Sequence, residues 1–370
     1  MPLIGNKGNP NCDVWVIVDK PLSRDLERGY LFSSGLGYMW DAMMKDAGFS
    51  DYFVTCYRPD TEHTNAYRNL EGIDIAHYQP KILIPLDAVG AKLCPELVLH
   101  NRNKNYNPET DSAIFKYAGS PLIAPRLNYQ HYVYPTLPPD LVARQYKLRD
   151  QVVLDLAKAR SELDYYKEHG VLEPLPQRKL QTEFESFDEI LYILKSFLEY
   201  ELISNDVETI YPKAGTKKRP SPYYGKHPGY PLIVGLAPSK SYGISIDLFR
   251  ESKSETIELW RALDKLFTNV IQLGQNFMSF DANLYEMLGF RFREVRDTLL
   301  MHHTLYPELP HKLQHLTRQY TREPYYKDEG HGWSAKNKKK WKLYNCKDVC
   351  VTYEVYEGMM EEFKERPWLL

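Results

Sequence analysis

Apolar and polar positions divide the first part of the chain into short apolar runs separated by longer stretches with helical spacing. "DVWVIVD" (13–19), "YFVTCYRPD" (52–60), "PKILIPLD" (80–87) and "SPLIAPRL" (120–127) are brief and β-rich, and each is expected to be a strand. The second is stopped by Pro59. "GLGYMWDAMMKDAG" (35–48) has helical spacing and ends on Gly48, and "AVGAKLC" (88–94) starts another helix. "PDLVARQYKLRDQVVLDLAKARSELDYYKEHG" (139–170) predicts one long helical stretch closed by Gly170. Strands alternating with helices imply a parallel sheet with helices on both faces.

The pattern changes at "VLEPLPQRKLQTEF" (171–184), which carries two Pro and little periodicity. It is expected to be a linker between a domain over 1–170 and another over 185–370. Beyond it, "SFDEILYILKSFLEY" (186–200) is an amphipathic helix with Ser186 as its cap, and it feeds the strand "ELISNDVETI" (201–210). "YPLIVGLAPSKSYGISIDL" (230–248) reads as two strands around a Pro-Ser-Lys-Ser turn. "SETIELWRALDKLFTN" (254–269) is a helix opened by Ser254, with Glu255 favourable at its N-terminus. "VIQLG" (270–274) is a further strand and "SFDANLYEMLG" (279–289) a further helix.

Composition narrows the classes. The 370 residues suffice for two domains, and 43% hydrophobic content is that of a globular protein. A net charge of −2 argues against holding duplex DNA by bulk electrostatics. A nucleic-acid partner would need local contacts, or metal ions at the phosphates. The dense basic stretches, 214–231 and 336–342, fit either solvated loops or contacts to a strand backbone. The 29 Tyr are suited to core filling and to base stacking alike. Five Cys without a C-x-x-C pair argue against a disulfide framework, a zinc knuckle and an iron–sulfur site. Cys346 and Cys350 are expected to be buried apolar groups. No signal peptide opens the chain and no apolar run is long enough to span a bilayer, so a reduced, cytoplasmic protein without a membrane partner is expected.

Three acid-bearing stretches carry the chemistry. In "NDVET", Asp206 and Glu208 sit at i and i+2 of a strand and leave the same face. Two carboxylates that close repel unless a cation or a shared proton intervenes. "GQNFMSFD" places Asp281 at a helix start just after a strand. "YNCKD" places Tyr344 and Asp348 at i and i+4 on one helix face. Mg²⁺ or Mn²⁺ explains this layout, because hard cations take oxygen ligands and two of them can clamp an in-line phosphoryl displacement. Asp206 would bridge both ions, Glu208 and Asp348 would complete one site, and Asp281 would hold the other, directly or through water. Tyr344 would orient the attacking water.

In order and spacing these stretches resemble the three motifs of the DnaQ-like (DEDD) 3′–5′ exonucleases, in the Tyr-bearing subgroup. "GQNxxxxD" is most similar to the proofreading domain of family A DNA polymerases. "RDTLLMHHTLYPELPHKLQHL" (296–316) resembles the stretch that family places between its second and third motifs. The resemblance covers residues 180–365. It implies a ribonuclease H-like domain with a mixed sheet and two divalent ions held by Asp206, Glu208, Asp281 and Asp348. Tyr344 would be the water positioner, and Thr209, Gln275 and Asn276 would contact terminal nucleotides. It implies as partner a DNA 3′ end, single-stranded or frayed, and leaves room for a separate DNA polymerase subunit. Asn276 fits equally the task of satisfying backbone groups where strand turns into helix. Asp297 is expected to be a helix cap, and His302 and His303 local polar residues.

Residues 16–60 are similar to the opening of the iron–sulfur kind of uracil-DNA glycosylase, with Pro21, Gly29, Phe32, Gly35, Thr55, Arg58 and Pro59 in step. "YPTLPPDLVARQYKLRDQVVLDLAKA" (134–159) resembles that family's His-Pro-Ser segment and closing helix. This implies a three-layer glycosylase-like domain with a parallel sheet. The loop reads "VDKPL", with Asp19 for the family's acid and both glycines missing. Tyr134 stands where the His is expected, and the cluster cysteines are absent. The expectation is a glycosylase fold without its activity. Similar domains precede exonuclease–polymerase chains in some phages, which implies a replication context. Two alternatives stay open: a non-catalytic DNA or replisome docking protein, and the front of a longer family A polymerase.

Overall fold

The computed structural model describes residues 6–19, 21, 23–56, 75–86, 94, 113–210, 230–330 and 337–369. Two compact units emerge: Met1–Leu175 with Arg322–Tyr325, and Pro176–Thr321 with Tyr326–Leu370. The helix expected over 88–94 except its last residue, the basic stretch 214–231 except its last two residues, and Arg58 and Pro59 lie outside the described residues.

Among the described residues, the first unit is built on four parallel strands in the order β2-β1-β3-β4: β1 Val14–Val18, β2 Phe53–Cys56, β3 Ile82–Pro85 and β4 Tyr132–Val133. β1 is buried along its whole length, as a central strand covered on both faces must be. Alternate residues serve two cores. Val14, Val16 and Val18 join Trp40, Met43 and Met44 of the helix Gly35–Asp46. Trp15 and Ile17 join Phe53, Leu83 and Val133 on the other face.

Two expectations fail here. The fourth strand is not 120–127, where only Leu122 bridges to Val133. Pro121 and Pro125 cannot donate to a ladder, and the sheet takes Tyr132–Val133 instead. The stretch 139–170 is three pieces: the helix Pro139–Arg144, a 3-10 turn Tyr146–Leu148 and the helix Arg149–His169. Gln145, at φ −134° and ψ 74°, breaks the run. Gly170 closes the last helix in the left-handed conformation, φ 72°.

The second unit carries a mixed sheet of six described strands in the order β10-β9-β6-β7-β8-β5. They are β5 Lys179–Gln181, β6 Leu202–Ile210, β7 Tyr230–Ser239, β8 Tyr242–Asp247, β9 Ile271–Gly274 and β10 Val295–Asp297. β7 runs antiparallel to both β6 and β8, while β9 runs parallel to β6 and β10 parallel to β9. With β5 set aside, this is the ribonuclease H-like arrangement of a hairpin meander followed by two parallel strands. β5 corrects the expectation for 171–184, which is not all linker. Its three residues pair with the edge strand β8, and Leu180 packs against Ala237, Val349 and Cys350.

The helix Phe187–Ser196 is capped by Ser186, whose hydroxyl accepts from Glu189 N at 3.2 Å. The helix Lys253–Asn269 is capped by Ser252 rather than Ser254. Glu255 then stands three residues after the cap, where its charge favours the helix N-terminus. Both helices pack on one face of the sheet with Ile203, Val207, Val234 and Ile246. The long helix Lys338–Glu365 lies against β6, β7 and β8. Its Cys346 and Cys350 are buried and in no disulfide, as expected.

Candidate metal centre

β6 alternates as its sequence predicts. Ile203, Asn205 and Val207 are buried on one side, where Asn205 accepts from Tyr285 Oη at 2.9 Å and donates to Gln272 Oε1 at 2.9 Å. Asp206 and Glu208 leave the other face. The long helix brings Asp348 to them, and one carboxylate oxygen from each of Asp206, Glu208 and Asp348 lies within 4.8 Å of the others. A β-bulge after Glu208 shifts the register by one residue, so that half-buried Thr209 pairs with Pro231.

The first of these acids is fixed by a neighbour that sequence reasoning passed over. Asn345 donates to Asp206 Oδ2 at 2.8 Å and accepts from Ser245 Oγ at 2.8 Å. Room for its amide comes from Gly235, opposite Asp206 on β7, where a Cβ would approach Asn345 Oδ1 to 2.5 Å. Asn345 sits inside "YNCKD", so the signal lay within a stretch already singled out.

Electrostatics set what the arrangement can hold. Burial, then the Asp348 charge, pushes the Asp206 carboxyl up to about 7, against relief from Lys327 and the Asn345 hydrogen bond. Burial, then Asp206 and Asp348, pushes Glu208 up to about 9. Like charges gathered in a poorly solvated site hold protons unless a cation replaces them. The donors are all carboxylate oxygens, a set suited to Mg²⁺ or Mn²⁺ and unsuited to soft metals. The chemistry of this donor set therefore fits a divalent ion.

Asp281 stands apart from the trio. It opens the helix Asp281–Met287, is 3% exposed, and its Oδ1 accepts from Val207 N at 2.9 Å. Burial first and the Asp206 charge second hold it well above the usual carboxylate range. Tyr344 lies one helical turn before Asp348, and burial followed by the Asp348 charge raises its phenol.

Gln275 and Asn276 follow β9. Gln275 donates to His311 O at 2.8 Å and accepts from Thr298 Oγ1 at 2.7 Å. Asn276 is left-handed at φ 56°, a conformation Asn tolerates. Its backbone N donates to Asp297 Oδ1 at 2.9 Å. Asp297 also accepts from Met278 N and caps the helix Thr298–Leu305 through Leu299 N, in keeping with its expected role. His302 is buried and paired with His311 at 2.8 Å, part of a local imidazole cluster.

Fold and site together define a class: an α/β protein whose mixed sheet presents a carboxylate cluster fit for a divalent cation. No protein-family model and no curated protein matches the chain. Among solved structures it is similar to the catalytic core of RRP6 from Trypanosoma brucei, at 12% identity over 55% of this chain and 54% of that one, with a TM-score of 0.39. It is also similar to the EXO domain of Nibbler from Aedes aegypti, at 14% identity over 52% and 93%, with a TM-score of 0.41. A third is RNase D of Escherichia coli, an exoribonuclease involved in structured RNA processing, at 13% identity over 52% and 47%, with a TM-score of 0.37. The chain spans about half the length of the RRP6 core and of RNase D. Among the described residues, no helix is long and apolar enough to cross a membrane.

Proposed function

We propose that the second unit is a metal-dependent 3′–5′ exonuclease that hydrolyses terminal phosphodiesters and releases nucleoside monophosphates. One observation carries the reading. Asp206, Glu208 and Asp348, drawn from two distant motifs of the chain, converge within 4.8 Å on a face where their charges demand a cation. Asp206, Glu208 and Asp348 would hold the ions, and Asp281, which feels the Asp206 charge, would serve through water. Bound there, two Mg²⁺ or Mn²⁺ ions would supply a more acidic water and stabilise charge on the phosphoryl oxygens.

The protein's own groups do the rest. The Tyr344 hydroxyl orients the attacking water. Thr209, Gln275 and Asn276 hold the terminal nucleotide, Gln275 and Asn276 on a loop fixed by Asp297 and Thr298. The preferred substrate is a DNA 3′ end, single-stranded or frayed, in a proofreading role beside a polymerase. That preference rests on the "GQNxxxxD" wording.

The first unit is read as a glycosylase-like module without activity. Support comes from Tyr134, at the position of the missing His. It is 2% exposed and its hydroxyl donates to Glu162 Oε1 at 2.9 Å, so it is committed to the core.

The test is digestion of 5′-labelled DNA and RNA oligonucleotides with Mn²⁺ or Mg²⁺, with and without a chelator. A chelator-sensitive ladder shortening from the 3′ end is expected, and faster on DNA. Intact oligonucleotides with both metals would overturn the reading and leave a docking protein. Faster digestion of RNA would reverse the substrate preference alone.

A further inference from the structure

Directly before the long helix's face of acids lies a 3-10 turn, Lys327–Gly330, that no sequence motif singled out. Lys327 Nζ is 2.8 and 2.6 Å from the two oxygens of Asp348 and 3.0 Å from the Tyr344 hydroxyl oxygen. Tyr326 Oη donates to the same carboxylate at 2.5 Å. Three residues of one helix face seat the turn. A Cβ on Gly330 would come within 2.7 Å of the Tyr344 ring. Lys347 reaches both oxygens of Glu329 at 3.2 Å. Asp348 takes Lys327 and Tyr326. Positions 344, 347 and 348 are i, i+3 and i+4, so the stripe that serves the acid cluster also docks the turn.

We propose that Lys327 is a positioning residue of this centre: a resident counter-cation that holds Asp348 and Tyr344 in the metal-free protein and cedes Asp348 to a divalent ion. The inference rests on the nuclease reading above. Its physical basis is charge and reach. Three gathered carboxylates need a cation, and an ammonium straddling both oxygens of Asp348 supplies one where a metal would bind. Lysine is a compact, hydrated charge on a flexible stem, so it can leave without breaking a planar two-pronged contact of the arginine kind. Its bond to Tyr344 matters as well. Nζ has only protons to give, so the Tyr344 oxygen is the acceptor, and the phenol also hydrogen-bonds with Asp348, which fixes its direction from both sides. Metal affinity is thereby traded against an assembled acid cluster and an oriented hydroxyl.

The test uses the full chain and Mn²⁺ alone as probe, by titration calorimetry. Lys327→Met should bind Mn²⁺ about tenfold or more tightly, since a competing unit charge at ion-pair distance is gone. Lys327→Arg, which keeps the charge, should stay within about threefold of the parent. On oligonucleotide, Lys327→Met should lower kcat with little change in KM. In the unaltered protein, amine labelling of Lys327 read by mass spectrometry should rise several-fold on adding Mn²⁺, and this arm stands if the Met variant does not fold. Equal or weaker Mn²⁺ affinity in a folded Lys327→Met, or labelling indifferent to Mn²⁺, overturns the proposal while leaving the nuclease reading intact. A parent protein that neither binds Mn²⁺ nor digests oligonucleotide removes both.

Discussion

Glu162 and Glu208 are carboxylates withdrawn from water in different units, and their surroundings are opposite. Glu162, in the first unit, is 4% exposed. It accepts from Tyr134 and pairs with Arg322, whose guanidinium also donates to the carbonyls of Glu173 and Pro174 and lies over the Tyr132 ring. Its near neighbours are thus a hydroxyl donor and a guanidinium. Glu208 is set among Asp206, Asp348 and Asp281, which oppose ionisation, and Lys327 is the counterweight. A buried charge with its counter-ion is architecture. A cluster of three like charges set against a single lysine is suited to a divalent cation, and the protein spends folding stability to keep it.

Mutations at the two places should therefore move different observables. Asp206→Ala should abolish digestion, by about 10⁴-fold, roughly 5 kcal/mol of lost transition-state stabilisation. The metal-free thermal midpoint should stay level or rise, because repulsion is relieved. A variant that digests normally would end the comparison at its functional pole. Arg322→Ala should do the reverse. It should cost about 3–5 kcal/mol in denaturant unfolding by stranding Glu162, a loss typical of breaking a buried pair. A loss below about 1 kcal/mol would show that Glu162 is not held as described.

pH separates the poles more finely. The folded pKa values of Asp206 and Glu208 are raised, to about 7 and about 9, above those of the unfolded chain. The folded state then binds more protons, and stability must fall as pH rises. In chelator, the thermal midpoint should decline from about pH 4, where unfolded carboxyls ionise, through 7 and toward 9. Mn²⁺ should cancel most of the decline, and Glu208→Gln should flatten its upper part. A midpoint independent of pH over this window would contradict the crowding argument.

Smaller effects sharpen the picture. Tyr344→Phe removes one hydroxyl from the site and should slow turnover about tenfold, roughly 1.4 kcal/mol, with Mn²⁺ affinity nearly unchanged. Unaltered turnover would strip Tyr344 of its role. Ser186→Ala removes a helix cap remote from the acids and should cost about 1 kcal/mol of stability with full activity retained.

Local order was legible in the chain. Period-two alternation in "LISNDVETI" put Asp206 and Glu208 on one face, and i, i+4 spacing stacked Tyr344 over Asp348. Gly170 marked a helix end and Ser186 a start. These signals are readable because strand and helix geometry fix the direction of neighbouring side chains within a few residues. What the chain left open was which elements meet. The sheet took the two residues Tyr132–Val133 over the longer candidate at 120–127, and β5 joined an edge from within an apparent linker. Both choices depend on backbone partners far away in sequence. Asn345 on Asp206, the place of Asp281 beside Val207 N, and Lys327 astride Asp348 are likewise products of packing between strand, helix and turn. No periodicity records a distance of 2.6 Å between residues twenty-one apart across a turn and a helix. Only the tertiary structure, by bringing those surfaces together, decided that the acid cluster has its own cation.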